Sequence, residues 1–199
     1  MPPVGRRAAE RNVYSFEGRL LAPPELVLDT SFVVDALVAT QPRHAVCRAF
    51  LDAIRDSRSV VYFNTLLVVA LWEAAYAIKL RGRHGGQWRR RRHDRRSLRP
   101  AKLLRDALHE AWRTALEGLS TVVVDVGEVV EAVPAFMSYG LGSSDAVHVA
   151  TAAYIDVLPF VTLDYHFSLV PESQLVLYVP QGRVGACRRR RATSGLTPS

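Results

Sequence analysis

The sequence is poor in cysteine and in lysine, and it contains no long apolar run. Cys47 and Cys187 are its only cysteines and lie far apart, so neither a disulfide framework nor a zinc site is expected, which fits a reducing compartment. No apolar segment approaches the ~18 residues of a membrane helix, and the first twenty residues lack the apolar core of a secretory signal. We therefore expect a cytoplasmic protein without membrane association.

The net charge of +7 conceals two basic segments. Lys79 and Lys102 are the only lysines among 26 basic residues, so 24 are arginines. Residues 81–105 have a local charge of +10 and residues 183–199 one of +5, which leaves −8 for the rest of the chain. Blocks of like charge are typical of solvated segments and of segments that meet nucleic acid. The candidates for phosphate contact and base stacking are Arg89, Arg90, Arg91, Arg92 and Trp88.

The order of apolar segments predicts one α/β domain. We expect an N-terminal arm (1–24), a domain (25–180) with a basic insertion (81–105), and a basic, disordered tail (181–199). Strands are predicted at 25–29, 60–63, 121–125, 158–162 and 175–179. Helices are predicted at 31–38, 42–57, 66–80, 100–119, 128–137 and 145–154. This alternation favours a three-layer sandwich in which helices cover both faces of a parallel sheet, with the ligand site beyond the carboxyl ends of the strands.

Four acids stand where a carboxylate is expected to be costly. Asp29 and Asp164 end predicted strands, Asp145 begins a helix, and Glu73 lies within an almost wholly apolar helix. A buried carboxylate costs several kcal/mol unless it is paired or binds a metal ion. Carboxylates that share a cleft repel one another, and oxygen ligands favour Mg²⁺ or Mn²⁺. The set therefore indicates a divalent-cation site.

Each acid also has an ordinary structural explanation. Asp29 could cap the helix that follows it, and Asp145 could complement a helix dipole. Asp164 could begin a turn. Glu73 has no basic residue four positions away, but it could pair with one across the fold.

Four segments, in this order, resemble a PIN domain over residues 25–180. They are Leu28-Asp29-Thr30-Ser31, the helix containing Glu73, the stretch from Ser143 to Ala152, and Val161-Thr162-Leu163-Asp164. Their order and spacing are most similar to VapC-type toxins of type II toxin–antitoxin systems. The resemblance implies a five-stranded parallel sheet in the order 3-2-1-4-5 and a Mg²⁺- or Mn²⁺-dependent endoribonuclease. It also implies a homodimer that is inhibited by a cognate antitoxin protein.

The resemblance assigns roles by position. It implies that the metal ligands and catalytic acids are Asp29, Glu73, Asp145 and Asp164, with Ser31 and Thr162 as polar helpers. The sequence departs from the family pattern in its long arm and in the basic insertion at 81–105.

Several other functions are compatible with parts of the sequence. The arginine-rich insertion could serve a non-catalytic RNA-binding module, or it could dock an acidic partner protein. A phosphatase with an aspartyl nucleophile usually has a second Asp two residues after the first, but Ser31 stands at that position. A structure-specific DNA nuclease would use the same fold, although no added DNA-binding motif is present.

Overall fold

A parallel sheet with helices on both faces forms the protein, as the sequence predicts. We describe it from a computed structural model, which covers residues 12–18 and 21–194. Most of the predicted N-terminal arm and the last five residues of the predicted tail lie outside these ranges. None of the described helices combines the length and the apolarity that crossing a bilayer requires.

Six strands and seven helices follow one another along the described chain. The strands are β1 (Val13–Ser15), β2 (Glu25–Leu28), β3 (Val60–Asn64), β4 (Ser120–Val124), β5 (Pro159–Val161) and β6 (Val176–Val179). The helices are α1 (Thr30–Leu37), α2 (His44–Asp56), α3 (Leu66–His84), α4 (Leu98–Leu116), α5 (Val133–Met137), α6 (Ser143–Tyr154) and α7 (Gln181–Ser194). Short 3₁₀ helices connect several of them.

The sheet contains one strand more than expected. Its order is β1-β6-β5-β2-β3-β4, and every neighbouring pair is parallel. Strands β2 to β6, taken alone, follow the order that the resemblance implies. The added strand β1 comes from the predicted arm, where it pairs Val13 with Leu177 of β6. Three residues are too few to show the alternation by which a strand is recognised in a sequence.

Two hydrophobic cores lie on opposite faces of the sheet. In β2, Leu26 and Leu28 point into one core and Val27 into the other, because side chains alternate along a strand. Large side chains of the first core include Phe16, Phe32, Phe50 and Trp112. Those of the second include Phe136, Phe160, Phe167 and Leu177. This packing holds β2 rigidly at the centre of the sheet.

Helix α7 occupies the segment for which a disordered tail was predicted. Its buried face presents Val184, Cys187 and Arg191 at helical spacing. The Arg191 guanidinium donates to the carbonyl oxygens of Asn12 (3.0 Å) and Leu175 (2.9 Å), which fastens the helix beside β1 and β6. The many arginines of this segment predicted a solvated tail. The sequence does not show that one of them, Arg191, is buried against backbone acceptors.

The basic insertion is an ordered connection between two long helices. Residues 81–84 belong to α3 and residues 98–105 to α4, so only residues 85–97 lie outside them. Within this connection the Asp94 carboxylate accepts hydrogen bonds from His84 (2.9 Å) and Ser97 (3.0 Å). The His84 hydrogen bond is the main cause that lowers the pKa of Asp94 to about 2. The Asp94 carboxylate therefore joins the end of α3 to the start of α4.

The first prediction concerns the strand that was not expected. Phe16 follows β1 and packs against Phe32 and Phe50, with ring centroids 5.6 and 5.1 Å away. Phe16→Ala should lower the free energy of unfolding by about 3 kcal/mol, because it leaves a cavity in the core. Urea unfolding followed by circular dichroism measures the change.

Leu21 provides a matched control, since its side chain is 74% exposed. Leu21→Ala should leave the free energy of unfolding within about 0.5 kcal/mol of the original value. Equal, small effects of the two substitutions would show that the N-terminal segment does not belong to the folded core.

Candidate active site

The candidate site lies at the carboxyl edge of the sheet, where β2 and β5 end side by side. Asp29 directly follows β2 and is 4% exposed, whereas Thr162 follows β5 and is fully buried. Because these strands are paired neighbours, the two side chains meet. Asp164 follows two residues later and is half-buried.

One oxygen of Asp29 is fully engaged in hydrogen bonds. Its Oδ2 accepts from the backbone N–H of Ser31 (3.3 Å), from the Ser31 hydroxyl and from the Thr162 hydroxyl (2.8 Å). Each hydroxyl in turn accepts from the chain after β5: Ser31 Oγ from the N–H of Leu163 (3.0 Å) and Thr162 Oγ1 from that of Asp164 (2.9 Å). Asp29 therefore caps α1 and at the same time joins the ends of two strands.

The other oxygen of Asp29 has no such partners. Among the described residues, no group donates a hydrogen bond to Oδ1, and the nearest basic atom is Nε2 of His148 at 3.8 Å. Within the described chain this oxygen therefore keeps its capacity to accept from or bind a ligand. Helix capping and ligand binding are therefore not alternatives for Asp29, because each can use a different oxygen.

Asp145 stands in the first turn of α6 and is half-buried. Burial is the largest cause that raises its pKa to about 6, followed by the negative charges of Asp29 and Asp164, while His166 acts in the opposite direction. Three of the four predicted acids therefore lie within electrostatic range of one another. A cation between them would relieve this repulsion.

The Asp164 carboxylate is held by His166, two residues further along the chain. Its Oδ1 accepts from the backbone N–H of His166 and lies 2.8 Å from the His166 Nδ1. The carboxylate thus caps the 3₁₀ helix Tyr165–Leu169, as an ordinary turn would require. Its second oxygen, Oδ2, makes no hydrogen bond within the described part of the chain.

Glu73 does not have the environment that the sequence predicts. Helix α3 buries the stripe formed by Leu67, Leu71 and Ala75, and Glu73 lies off this stripe with an exposed side chain. The expectation that it is a buried carboxylate is therefore wrong, because α3 exposes apolar residues as well, among them Trp72. Glu73 is also absent from the charges that raise the pKa of Asp145.

A buried polar network behind Asp29 was not predicted from the sequence. Asn64 ends β3; its side-chain oxygen accepts from the N–H of Leu67, and its amide nitrogen donates to Thr151 (2.9 Å) and contacts His148 Nδ1 (3.1 Å). The amide can only donate there, so we assign the imidazole proton to Nε2, which faces the Thr30 hydroxyl at 3.2 Å.

This assignment makes His148 a neutral support rather than a charged one. Its side chain is 2% exposed, and burial lowers its pKa against the opposing effect of Asp29. Asn64 at the end of a predicted strand and His148 one turn after Asp145 are the features of the sequence that could have indicated the network.

A divalent cation at this edge of the sheet would need several oxygen ligands close together. Within the described ranges, no three His, Cys, Asp or Glu side chains form a ready-made metal site. Three mutually repelling carboxylates, with Asp29 Oδ1 free of hydrogen-bond donors, nevertheless offer the hard oxygen ligands that Mg²⁺ and Mn²⁺ prefer. The residues present fit such an ion through Asp29, Asp145 and Asp164.

The predicted nucleic-acid contacts lie elsewhere, in the connection between α3 and α4. Arg89, Arg90, Arg91 and Arg92 are exposed. The Trp88 ring is half-buried, and the guanidinium groups of Arg81 (4.6 Å) and Arg89 (5.5 Å) stand over it. Stacking of a base on this ring would have to displace one of them.

Comparison with protein families gives one match. The family model described as PIN domain matches residues 26–173, well over half of the chain. It begins within β2 and ends before β6, so β1 and α7 lie outside it. A search of curated proteins found no similar sequence.

The second prediction tests whether the folded state raises the pKa of Asp145. In metal-free protein, Asp145→Asn should raise the free energy of unfolding at neutral pH and have no effect near pH 4. The folded state raises the pKa of Asp145 from 3.8 to about 6, so between these values it binds more protons than the unfolded state. Stability therefore falls as the pH rises through this window. The gain at pH 7 should be roughly 1–3 kcal/mol, measured by urea unfolding in EDTA.

Asp56 is a matched control, because it is exposed at the end of α2. Asp56→Asn makes the same chemical change and should show no such dependence on pH. If the two variants differ from the original protein equally at every pH, neither burial nor repulsion raises the pKa of Asp145 in the folded state.

Proposed function

The chain belongs to the PIN domain family, whose members are generally metal-dependent nucleases, and from this premise we propose that it is an endoribonuclease that hydrolyses RNA phosphodiester bonds with Mg²⁺ or Mn²⁺. The observation that carries the proposal is the convergence of Asp29, Asp145 and Asp164 at the carboxyl edge of the sheet. Ligands of parallel α/β sheets bind at this edge.

The proposed ligands differ in how firmly they are held. Asp29 is fixed through Oδ2 and would offer Oδ1 to the cation; Asp145 and Asp164 would complete the set. Glu73 remains a proposed catalytic acid and metal ligand, whose side chain lies on the exposed side of α3. Ser31 and Thr162 would be positioning residues, since they hold Asp29 rather than the substrate.

The chain's own residues would prepare the site for hydrolysis. A cation held there would supply charge neutralisation at the phosphate and a more acidic attacking water. The hydroxyls of Ser31 and Thr162 keep Asp29 Oδ2 occupied, so that Oδ1 would be the oxygen offered to the cation. Neutral His148 supports this arrangement without a positive charge that would compete with the cation. Protonation of Asp145 below pH ~6 would weaken metal binding.

Within the family, we propose the role of a VapC-type toxin that acts as a homodimer in the cytoplasm and is inhibited by a cognate antitoxin. Helices α3 and α4 expose apolar side chains that would suit a protein partner: Val69, Trp72, Leu98 and Leu103 are 45–66% exposed. Cys47 and Cys187 are free and buried, which fits a reducing compartment.

The basic insertion supports a second, compatible candidate function, the binding of an anionic partner. A pocket there is lined by Arg83, Arg90, Arg91, Arg96, His84, His93 and Asp94. Four arginines against one acid would suit an RNA backbone or an acidic segment of an antitoxin. This binding would need neither the metal site nor catalysis.

The third prediction concerns cleavage. Asp29→Asn and Asp145→Asn should each lower metal-dependent cleavage of single-stranded RNA by at least about 100-fold, because each loses a charged ligand. Thr162→Val should lower it by about 10–100-fold, since Asp29 loses one of its three donors. Gel electrophoresis of labelled RNA with Mg²⁺, Mn²⁺ or EDTA measures the rates.

The Asp56→Asn variant should cleave RNA at the original rate. It controls for the loss of one acidic charge. Circular dichroism shows whether each variant keeps its fold. Cleavage that continues in EDTA, or that survives both Asp29→Asn and Asp145→Asn, would contradict the proposal.

The fourth prediction concerns the role as a toxin. Expression of the protein in a bacterial host should stop growth, and Asp145→Asn should abolish this effect although the protein accumulates to a similar level. Colony counts after induction, with immunoblots of the two proteins, provide the measurement. Equal growth inhibition by both proteins would separate toxicity from the proposed hydrolysis.

A further inference from the structure

A cluster of aromatic and basic side chains borders the three aspartates on the side of α7. The Tyr165 ring stacks on the His166 ring, with centroids 4.3 Å apart and planes inclined by 29°. The guanidinium carbons of Arg183 and Arg190 lie 5.3 and 5.1 Å from the Tyr165 centroid. We call Tyr165, His166, Arg183 and Arg190 the α7 cluster.

The α7 cluster is continuous with the candidate active site. His166 contacts the Asp164 carboxylate at 2.8 Å through Nδ1, and its ring stacks on that of Tyr165. On the other side, Cys187 of α7 lies within electrostatic range of Asp164 as well as of Arg183 and Arg190. The positive groups of α7 therefore begin where the acidic site ends.

The helix that carries these arginines is firmly seated. Arg191 is buried against two backbone carbonyl oxygens, and Arg188 donates to the carbonyl oxygen of Val13 (3.1 Å). Arg183 and Arg190 are seven residues apart, so they lie on one side of α7, about 10 Å apart along its axis. Both are half-buried, so part of each side chain remains accessible to solvent.

The basic insertion is less well placed to act at the site. Helix α3 begins one residue beyond Thr65 at the carboxyl edge of the sheet and runs for 19 residues before the insertion. At 1.5 Å per residue, this is about 28 Å of helix. The insertion can hold a distant part of a long RNA, whereas the α7 cluster adjoins the aspartates.

We infer that Arg183 and Arg190, braced against Tyr165, bind the phosphate backbone of RNA next to the bond that is cleaved. The inference rests on the proposed function and assigns substrate positioning to a helix outside the matched family region. Three carboxylates repel a polyanion, so an approaching RNA needs positive charge at their border. Guanidinium groups suit phosphate oxygens because they form paired hydrogen bonds, and a stacked ring limits their freedom before binding.

Binding of a short fluorescein-labelled single-stranded RNA, measured by fluorescence anisotropy in EDTA at several salt concentrations, tests the inference. The Arg183→Gln/Arg190→Gln double variant should bind about tenfold more weakly. The slope of log K against log salt should be shallower by about 1.4, since each phosphate contact on a single strand contributes about 0.7. In Mg²⁺, the double variant should lose about tenfold in kcat/KM through a higher KM.

Three comparisons separate phosphate binding from other effects. Arg189→Gln removes one charge from the exposed side of the same helix and should change neither affinity nor slope. Arg183→Lys/Arg190→Lys keeps the charge and should keep most of the slope, which excludes a purely structural effect. Arg90→Gln/Arg91→Gln in the insertion should not affect an RNA too short to span α3.

The outcomes distinguish this inference from the proposed function. An unchanged salt slope in the glutamine double variant overturns the inference, as does an equal loss in the lysine variant or in Arg189→Gln. The same anisotropy measurement with labelled poly-glutamate tests an acidic protein partner. If the glutamine double variant loses binding to poly-glutamate but binds RNA as before, the inference is overturned and the cluster is assigned to such a partner. If RNA binds through α7 but is not cleaved, the proposed hydrolysis fails, whereas the phosphate contacts of the α7 cluster stand.

Discussion

The hydrogen bonds of a single carboxylate oxygen determine how this site is built. Asp29 Oδ2 accepts three donors from α1 and from the end of β5, and the two hydroxyls involved also accept backbone N–H groups of the next turn. This arrangement satisfies a helix N-terminus, joins two neighbouring strands and fixes the orientation of one carboxylate. The position of Asp164 depends on the same turn, since its N–H binds Thr162.

Charge is distributed in the folded protein so that opposite signs adjoin. Burial raises the pKa of Asp145, and the negative charges of Asp29 and Asp164 raise it further, while the α7 cluster supplies positive charge beside them. In the insertion, by contrast, Asp94 is surrounded by basic groups, and its pKa is lowered. An acid among cations therefore stabilises the insertion, whereas acids among acids leave a site that a cation would complete.

The sequence predicted the location of those site residues that directly follow a strand. Asp29, Thr162 and Asp164 follow apolar strands, so a parallel α/β fold brings them to one edge, and the observed sheet confirms that architecture. Glu73 was harder to place, since the apolar composition of α3 does not reveal which of its faces is buried. Arg191 was also unpredictable, because its backbone acceptors, Asn12 and Leu175, meet only when β1 and β6 come together in the fold.

The pairing of β1 with β6 also bears on how the chain folds during synthesis. These strands are about 160 residues apart in sequence, so β1 leaves the ribosome long before its partner exists. Contacts at such separation form late, because closure of a long loop costs entropy before the contact is gained. The β5 edge of the nascent sheet stays uncovered until β6 emerges, and α7, which holds β1 in place, is made after β6. The arginines beside the aspartates are therefore assembled only after all six strands have been synthesised.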